Sequence, residues 1–107
     1  MKFNIKLPDK SCKEIDGTLV KNLPIKCFAH KHVTSLTESD GWVVSEFFSG
    51  MRITRAHKLR KDAVEEAIIQ FETRGVDAIK ELVNTLVKKY GFANKDGTQR
   101  KVEKEQE

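Results

Sequence analysis

The sequence predicts an α+β fold, in which an antiparallel sheet of three to five strands is followed by two consecutive amphipathic helices packed on one face. Two observations lead to this prediction. Much of the first half of the chain alternates between apolar and polar residues, with the period of strands. The second half carries apolar residues at the three- and four-residue spacing of helices. A run of strands followed by a run of helices is typical of this fold class.

The chain has 107 residues, a length that suits one domain. We predict that this domain covers residues 1–92 and that residues 93–107 form a polar, charged tail. Lys and Arg together number 20 and Asp and Glu 16, so the net charge is +4. This mild excess of cations is compatible with nucleic-acid binding but does not demand it.

Cysteine usage and hydropathy indicate a small soluble protein of the reducing cytoplasm. The two cysteines, Cys12 and Cys27, are expected to be free thiols, because the first residues lack the apolar run of a secretory signal. No apolar segment approaches the roughly 18 residues needed to span a bilayer, so we expect no membrane association.

The first third of the chain divides into three stretches. Residues 3–7 alternate as a strand, which Pro8-Asp9 ends. Residues 10–22 are polar and contain Asp16-Gly17, a pair that favours tight turns, so a short hairpin or a loop is predicted. Residues 23–33 form a predicted strand, whose core face carries Leu23, Ile25, Cys27 and Ala29 and whose other face carries Lys26, Phe28, His30 and His32.

A β-hairpin is predicted around Ser49-Gly50, and two registers are open to it. A two-residue turn would put the Glu46 carboxylate on the apolar face, where an unpaired charge costs several kcal/mol. We prefer a register with a bulge, in which Gly50 is left-handed and Phe47 pairs with Met51.

The preferred register decides which side chains the hairpin exposes. Glu46 lies opposite Arg52 on the outer face as an attractive pair. Trp42 and Val44 also point outward, where they need a partner or a covering segment. The residues predicted to face inward are Val43, Ser45, Phe47, Met51 and Ile53.

The last two elements are predicted helices. The first begins near Leu59 and ends at Arg74-Gly75, since glycine suits the left-handed cap. The second begins at Val76 and ends at Gly91. The apolar stripes are Leu59, Ala63, Val64, Ala67, Ile68 and Phe71 in the first helix and Val76, Ile79, Leu82, Val83, Leu86, Val87 and Tyr90 in the second.

Between Glu46 and Asp62 the chain has no acidic residue. Its cations there form what we call the basic segment: Arg52, Arg55, His57, Lys58, Arg60 and Lys61. Cations at a helix start cost up to about 1 kcal/mol and leave backbone N–H groups for an anion such as phosphate. We therefore predict that the basic segment binds nucleic acid, with Trp42 stacking a base. The alternative interpretation is a solvated surface, balanced by Asp62, Glu65 and Glu66.

The order of elements in this region resembles that of two known families. Antiparallel strands lead through a basic stretch into an alanine-containing helix, RAHKLRKDAVEEA. Over residues 42–71 this arrangement is similar to the carboxy-terminal half of double-stranded RNA-binding domains and to the arm-binding domains of phage integrases. The basic-helix motif of the RNA-binding family is not reproduced, so the resemblance is one of topology and indicates no family.

Cysteine and histidine spacing argues against a metal or catalytic site. Cys27 and His30 point to opposite faces of the predicted strand, and only His30 and His32 share one. A Cys–His nucleophile is not indicated, because Cys27 belongs to the predicted core. His32 and Glu46 would be the candidate acid–base pair on the outer face, although nothing in the spacing demands it. We predict no catalytic residue, no metal, no cofactor and no enzymatic activity.

Apolar residues outside the main stripes predict a second kind of surface. Phe28, Trp42, Val44 and Ile69 would anchor a protein interface, unless a second sheet layer, the tail or a homodimer covers them. The sequence therefore yields two hypotheses. The first is a small non-enzymatic accessory protein that binds nucleic acid through the basic segment. The alternative is a protein-binding inhibitor or adaptor of the kind carried by phages and plasmids, which acts through the outer sheet face around Trp42.

Overall fold

The computed structural model of the chain describes residues 1–7, 9–33 and 38–94. A four-stranded antiparallel sheet is followed by two helices, which confirms the predicted fold class. The strands lie in chain order in the sheet. The elements are β1 (Lys2–Lys6), β2 (Cys12–Val20), β3 (Cys27–Val33), β4 (Glu38–Glu46), α1 (Arg60–Arg74) and α2 (Val76–Tyr90).

Strand β2 is the element that the sequence described least well. The polar stretch 10–22 was predicted to be a short hairpin or a loop. Instead, most of it forms one nine-residue strand. Only Ile15 of its side chains is buried. β2 is a strand because residues 12–16 pair with β1 and residues 17–20 pair with β3. Each half of β2 thus has a strand partner for its backbone polar groups, although β2 has no apolar face of its own.

The sheet curls strongly, so that β1 packs over β3. The rings of Phe3 in β1 and Phe28 in β3 stack at 4.4 Å, although β2 lies between these strands. In a flat sheet, strands two apart are separated by about 9–10 Å. Gly17 permits this approach, since a Cβ there would lie 3.0 Å from both the Ala29 carbonyl oxygen and the Phe3 ring.

The curled sheet has a core on each face. The helix-side core joins α1 and α2 to one face of β3 and β4, and its buried members are Ile25, Cys27, Ala29, Val44, Ala63, Ala67, Phe71, Ile79 and Val83. The sheet-side core fills the opposite, concave face with Phe3, Ile5, Ile15, Phe28 and Phe47. Residues 27–30 of β3 and 43–46 of β4 are therefore buried on both faces.

The preferred hairpin register is wrong. Gly50 is left-handed as predicted, with φ of 72°. The partner of Arg52 is Ser45, however, and the Glu46 N–H donates to the Met51 carbonyl oxygen at 2.7 Å. The loop is thus longer than either predicted turn, because Phe47 does not pair with Met51.

The predicted outer face of the hairpin is also wrong. Val44 and Glu46 are completely buried and Trp42 is half-buried, all on the helix-covered side. The prediction assumed that one face of β4 meets solvent. In the structure the helices cover one face while the β1–β2 hairpin covers the other, so a strand buried twice shows no simple alternation.

The bounds of both predicted helices are confirmed to within a residue or so. The predicted apolar stripes are only partly buried, because Leu59, Ile68, Leu82 and Tyr90 are exposed. α1 begins at Arg60 and stops at Gly75, and α2 stops at Gly91. Both glycines have positive φ and donate their N–H to a carbonyl four residues back. In the described ranges, no helix combines the length and the apolar character that crossing a membrane requires.

Packing continues slightly past the predicted domain end at residue 92. Ala93 is buried, and the Asn94 amide donates to the carbonyl oxygens of Asn4 and Phe47 at 2.8 Å each. The Asn94 side-chain oxygen accepts from the Asn4 N–H at 2.7 Å. These bonds fasten β1 to the turn after β4. The remainder of the predicted tail, from residue 95 onward, lies outside the described residues.

We expect Gly50→Ala to lower the free energy of unfolding by about 2 kcal/mol, as measured by urea denaturation. Gly50 is left-handed, and an added Cβ would lie 2.9 Å from both the Ala93 Cβ and the Lys6 nitrogen. The double variant G50A/A93G removes one of these overlaps. It should therefore lose less stability than the sum of the two single variants. Strictly additive losses would contradict the packing of Ala93 on this turn.

Candidate nucleic-acid interface

Most of the basic segment is exposed. Arg52, Arg55, Lys58, Arg60 and Lys61 are solvent-exposed and His57 is partly buried. Arg52, Arg55, His57 and Lys58 lie in the irregular stretch 51–59, which runs back along β4, whereas Arg60 and Lys61 begin α1. The exposed fraction of the Arg55 side chain is 85%. The cations are therefore accessible to an anion from solvent.

Glu66 on α1 fastens the basic segment to the helix. Its Oε1 accepts from His57 Nε2 at 2.6 Å and from the Arg55 N–H at 3.2 Å, while its Oε2 accepts from Gln70 at 3.2 Å. A carboxylate can only accept, so His57 carries its proton on Nε2. Burial alone would raise the pKa of Glu66, but the hydrogen bonds from His57, Gln70 and Arg55 prevail and lower it. Glu66 is therefore ionised at neutral pH and bound inside the segment.

The start of α1 has no side-chain cap. Leu59 stands at the N-cap position and makes no capping hydrogen bond. Its carbonyl oxygen accepts from the N–H groups of Asp62 and Ala63. Within the described chain, nothing accepts from the N–H groups of Arg60 and Lys61. Two backbone donors, the positive end of the helix dipole and two cationic side chains thus coincide at this point.

Trp42 lies beside the basic segment and not on a separate face. Trp42 and His57 exchange backbone hydrogen bonds as an antiparallel pair, so their side chains share a face. On the other side of Trp42, the Lys31 ammonium lies 4.6 Å from the centre of the indole ring. Lys31 in β3, Trp42 in β4 and His57 in the stretch 51–59 therefore lie side by side and extend the cationic surface. Sequence reasoning missed Lys31, because only the β3–β4 register brings it to Trp42.

Arg52 is separated from the rest of the basic segment. Its partner Ser45 faces the sheet-side core, where the Ser45 hydroxyl lies 2.7 Å from His30 Nε2. His57 pairs with Trp42, three residues earlier in β4 and hence on the opposite face. The structure therefore unites Arg55, His57 and the cations that follow, but not Arg52.

Two of the four residues of the predicted protein interface, Phe28 and Val44, are buried in the two cores. Phe28 and Val44 are fully buried, so neither can present a side chain to a partner. Phe28 is covered by Phe3 because the sheet curls, and Val44 is covered by the helices. Trp42 keeps partial exposure, and Ile69 on α1 is 56% exposed.

The buried titratable groups form structural contacts. Cys27 lies opposite Glu46, and burial together with the Glu46 charge raises the pKa of the Cys27 thiol to about 12. Such a thiol stays protonated and is a poor nucleophile. His30 Nδ1 lies 2.7 Å from the Lys31 carbonyl oxygen, which can only accept, so the proton is on Nδ1 and Nε2 accepts from Ser45.

The groups considered for catalysis and metal binding do not converge in the part of the chain that the structure describes. Glu46 pairs with Cys27 in the helix-side core, so the considered pair of His32 and Glu46 does not form. In the described ranges, no three His, Cys, Asp or Glu side chains converge as metal ligands. A groove of about 490 Å³ between α2 and the segment before β3 has an apolar floor that includes Ile25, Val83 and Val87. The described residues that line it include no carboxylate, thiol or imidazole.

Comparison with known proteins finds no matching family model, no similar curated protein and no similar solved structure. The topological resemblance to double-stranded RNA-binding domains and integrase arm-binding domains thus gains no support from these comparisons.

Proposed function

We propose that the protein is a non-enzymatic accessory factor that binds nucleic acid through the sugar–phosphate backbone. One observation carries the proposal: exposed cations cluster around the uncapped start of α1, where two backbone N–H groups have no partner among the described residues. Arg55, Lys58, Arg60 and Lys61 supply the cationic side chains. Helix starts of this kind attract phosphate through both the N–H groups and the dipole.

The chemistry of this surface favours binding that does not depend on sequence. Each phosphate that a cation neutralises releases counterions, which makes the affinity fall with salt. Sequence-specific recognition needs side chains that read base edges, and long exposed Lys and Arg side chains mainly contact phosphates. Lys31 and Trp42 enlarge the surface by one cation and one aromatic ring. The nearby acidic residues Asp62 and Glu65 lower the net charge, so we expect moderate affinity.

The test is fluorescence anisotropy with a labelled duplex and a labelled single strand of unrelated sequence. With about four phosphate contacts, the affinity should fall about a hundredfold between 50 and 200 mM salt. The double variant R60E/K61E should weaken binding at least about tenfold and make the dependence of log affinity on log salt shallower by about two.

The matched control is K80E/K88E, which makes the same change of charge on exposed positions of α2. It should retain most of the affinity, because its residues lie outside the basic segment. If both double variants weaken binding equally, net charge and not the α1 start governs the affinity. If wild-type protein does not bind either probe at 50 mM salt, the proposed function is wrong.

Exposed apolar side chains on α1 favour a second candidate, a protein-binding inhibitor or adaptor. Leu59, Ile68 and Ile69 are exposed by 52%, 42% and 56%. Of the residues predicted to form a protein interface, Ile69 belongs to this exposed set, whereas Phe28 and Val44 are buried. An apolar interface would be nearly insensitive to salt, whereas contacts with phosphate would not. The salt dependence of any association therefore separates the two candidates.

A further inference from the structure

Three lysine ammonium groups converge on one tyrosine ring. Lys6, Lys10 and Lys89 place their Nζ atoms 5.5, 5.7 and 5.4 Å from the centre of the Tyr90 ring. Lys6 comes from β1, Lys10 from the turn that follows it and Lys89 from the last turn of α2. We call these four residues the lysine cluster. Its cations are brought together by the tertiary fold, since two distant parts of the chain contribute.

The positive charge of the lysine cluster is mostly uncompensated. None of its three lysines has an ion pair with any described acidic residue. Asp9 is the nearest acid in sequence, but its carboxylate accepts from the Ser11 N–H at 3.0 Å and from the Ser11 hydroxyl at 2.5 Å. The end of α2 supplies the equivalent of about half a negative charge. Half a charge offsets only a small part of three cations, so like-charge repulsion remains.

Lys10 belongs to a tight turn that two backbone hydrogen bonds close. Lys10 is left-handed, with φ of 73°. Its N–H donates to the Leu7 carbonyl oxygen and the Leu7 N–H donates to the Ser11 carbonyl oxygen, both at 2.9 Å. Left-handed backbone is costly for residues other than glycine, and such local strain is concentrated at functional sites. The ammonium group of Lys10 lies 5.7 Å from the centre of the Tyr90 ring.

We propose that the lysine cluster binds a pyrophosphate-type anion, either free or as the diphosphate of a small molecule. The three ammonium groups lie 5.4–5.7 Å from the same ring centre, so together they offer several N–H donors around the Tyr90 ring to an elongated ligand with several oxygens. A diphosphate carries more negative charge than a single phosphate or sulfate ion, so it relieves more of the repulsion between the lysines. Tyr90 is 36% exposed, so the ligand can reach the cluster from solvent.

The lysine cluster is distinct from the basic segment. Lys6 donates its N–H to Gly50 at 3.0 Å, and the chain after α2 returns to Phe48 through the Ala93 N–H at 2.7 Å. The cluster therefore lies near the turn that follows β4. Arg52 pairs with Ser45 close to this turn, but the other cations of the basic segment begin near His57, which pairs with Trp42. Trp42 lies four residues before β4 ends, a separation of about 13 Å along the strand. Anion binding at the cluster thus requires no nucleic-acid binding at the start of α1.

The test is titration of isotope-labelled protein with sodium pyrophosphate at low ionic strength, followed by NMR of the backbone amides. We expect saturable shifts at Lys6, Lys10, Lys89 and Tyr90, with smaller shifts at Arg60 and Lys61. Each of K6Q, K10Q and K89Q should weaken pyrophosphate binding about fivefold, which corresponds to the loss of one charge contact near the surface. The matched control is K88Q, because Lys88 precedes Lys89 on α2 and has no contact with the Tyr90 ring.

Titration with ADP shows whether the site binds free pyrophosphate or a nucleoside diphosphate. Equal affinity for pyrophosphate and ADP would assign the site to the diphosphate group alone, and tighter binding of ADP would assign it to a nucleoside diphosphate. Three results would overturn the proposal: no saturable shift at the cluster, equally tight binding of sulfate, or an equal loss of affinity in K88Q. Shifts confined to Arg60 and Lys61 would also overturn it, while leaving the proposed nucleic-acid surface intact.

Discussion

Replacing Phe28 with alanine is expected to lower the free energy of unfolding by about 4 kcal/mol. The Phe28 side chain has no exposed surface and stacks on Phe3, with ring centroids 4.4 Å apart. Its ring also lies 5.3 Å from that of His30. Truncation would remove the largest fully buried side chain and leave a cavity that a curled sheet cannot readily close.

Urea denaturation measures this loss, and Ile69→Ala provides the control. Both residues fall outside the main apolar stripes of the sequence, but Ile69 is 56% exposed on α1. Its truncation should change stability by no more than about 0.5 kcal/mol. A cost below about 1 kcal/mol for Phe28→Ala would mean that β1 does not fold over β3, and would restore Phe28 as a candidate surface residue.

Replacing Glu46 with alanine is expected to lower the free energy of unfolding by about 3 kcal/mol. The Glu46 carboxylate is fully buried and accepts from the Phe48 N–H at 2.7 Å and the Ser49 N–H at 2.6 Å. Without it, two backbone donors in a mostly buried turn lose their acceptor. Glu46→Gln keeps one acceptor oxygen, so it should lose less stability than Glu46→Ala.

The stability difference between wild type and Glu46→Gln should depend on pH. Burial raises the pKa of Glu46 above its ordinary value of 4.5, although hydrogen bonds from Ser49 and Phe48 oppose the rise. A raised pKa means that the folded state holds the proton more tightly than the unfolded state does. This contribution is complete below the ordinary pKa and is lost as the pH rises through the folded pKa. Wild type should therefore gain stability relative to Glu46→Gln as the pH falls from 8 towards 4.

Urea denaturation of both proteins across this pH range provides the measurement. Other carboxylates titrate in both proteins, so their effects cancel in the difference. A difference that stays constant would show that water solvates Glu46 in the folded state. A difference that increases towards high pH would show that its hydrogen bonds outweigh its burial.

The helices and the fold class could be predicted because their signals are local. The apolar spacing of α2 and the glycines at 75 and 91 fix where helices form and stop, since glycine readily adopts positive φ. The left-handed Gly50 follows from the same property. Cys27 was correctly assigned to the core, because it shares a strand face with Ile25 and Ala29.

The strands were less predictable because their pairing is not local. β2 has little apolar character, and its conformation depends on two partner strands, β1 for its first half and β3 for its second. The register after β4 was predicted on the assumption that a carboxylate avoids the core. Glu46 enters the core because the following turn supplies its hydrogen bonds, which no local pattern indicates.

The accessibility of the basic segment followed from its sequence, since consecutive cations rarely enter a core. The residues that lie next to the basic segment could not be predicted from the sequence. Strand register brings Lys31 and Trp42 to His57, and it turns Arg52 to the other face. The sequence by itself determined which elements form and which long cationic stretch meets water, because those depend on local propensity and burial cost. Only the tertiary structure decided the two buried sheet faces, the place of Glu46 and the lysine cluster, because these arise from contacts between residues far apart in the chain.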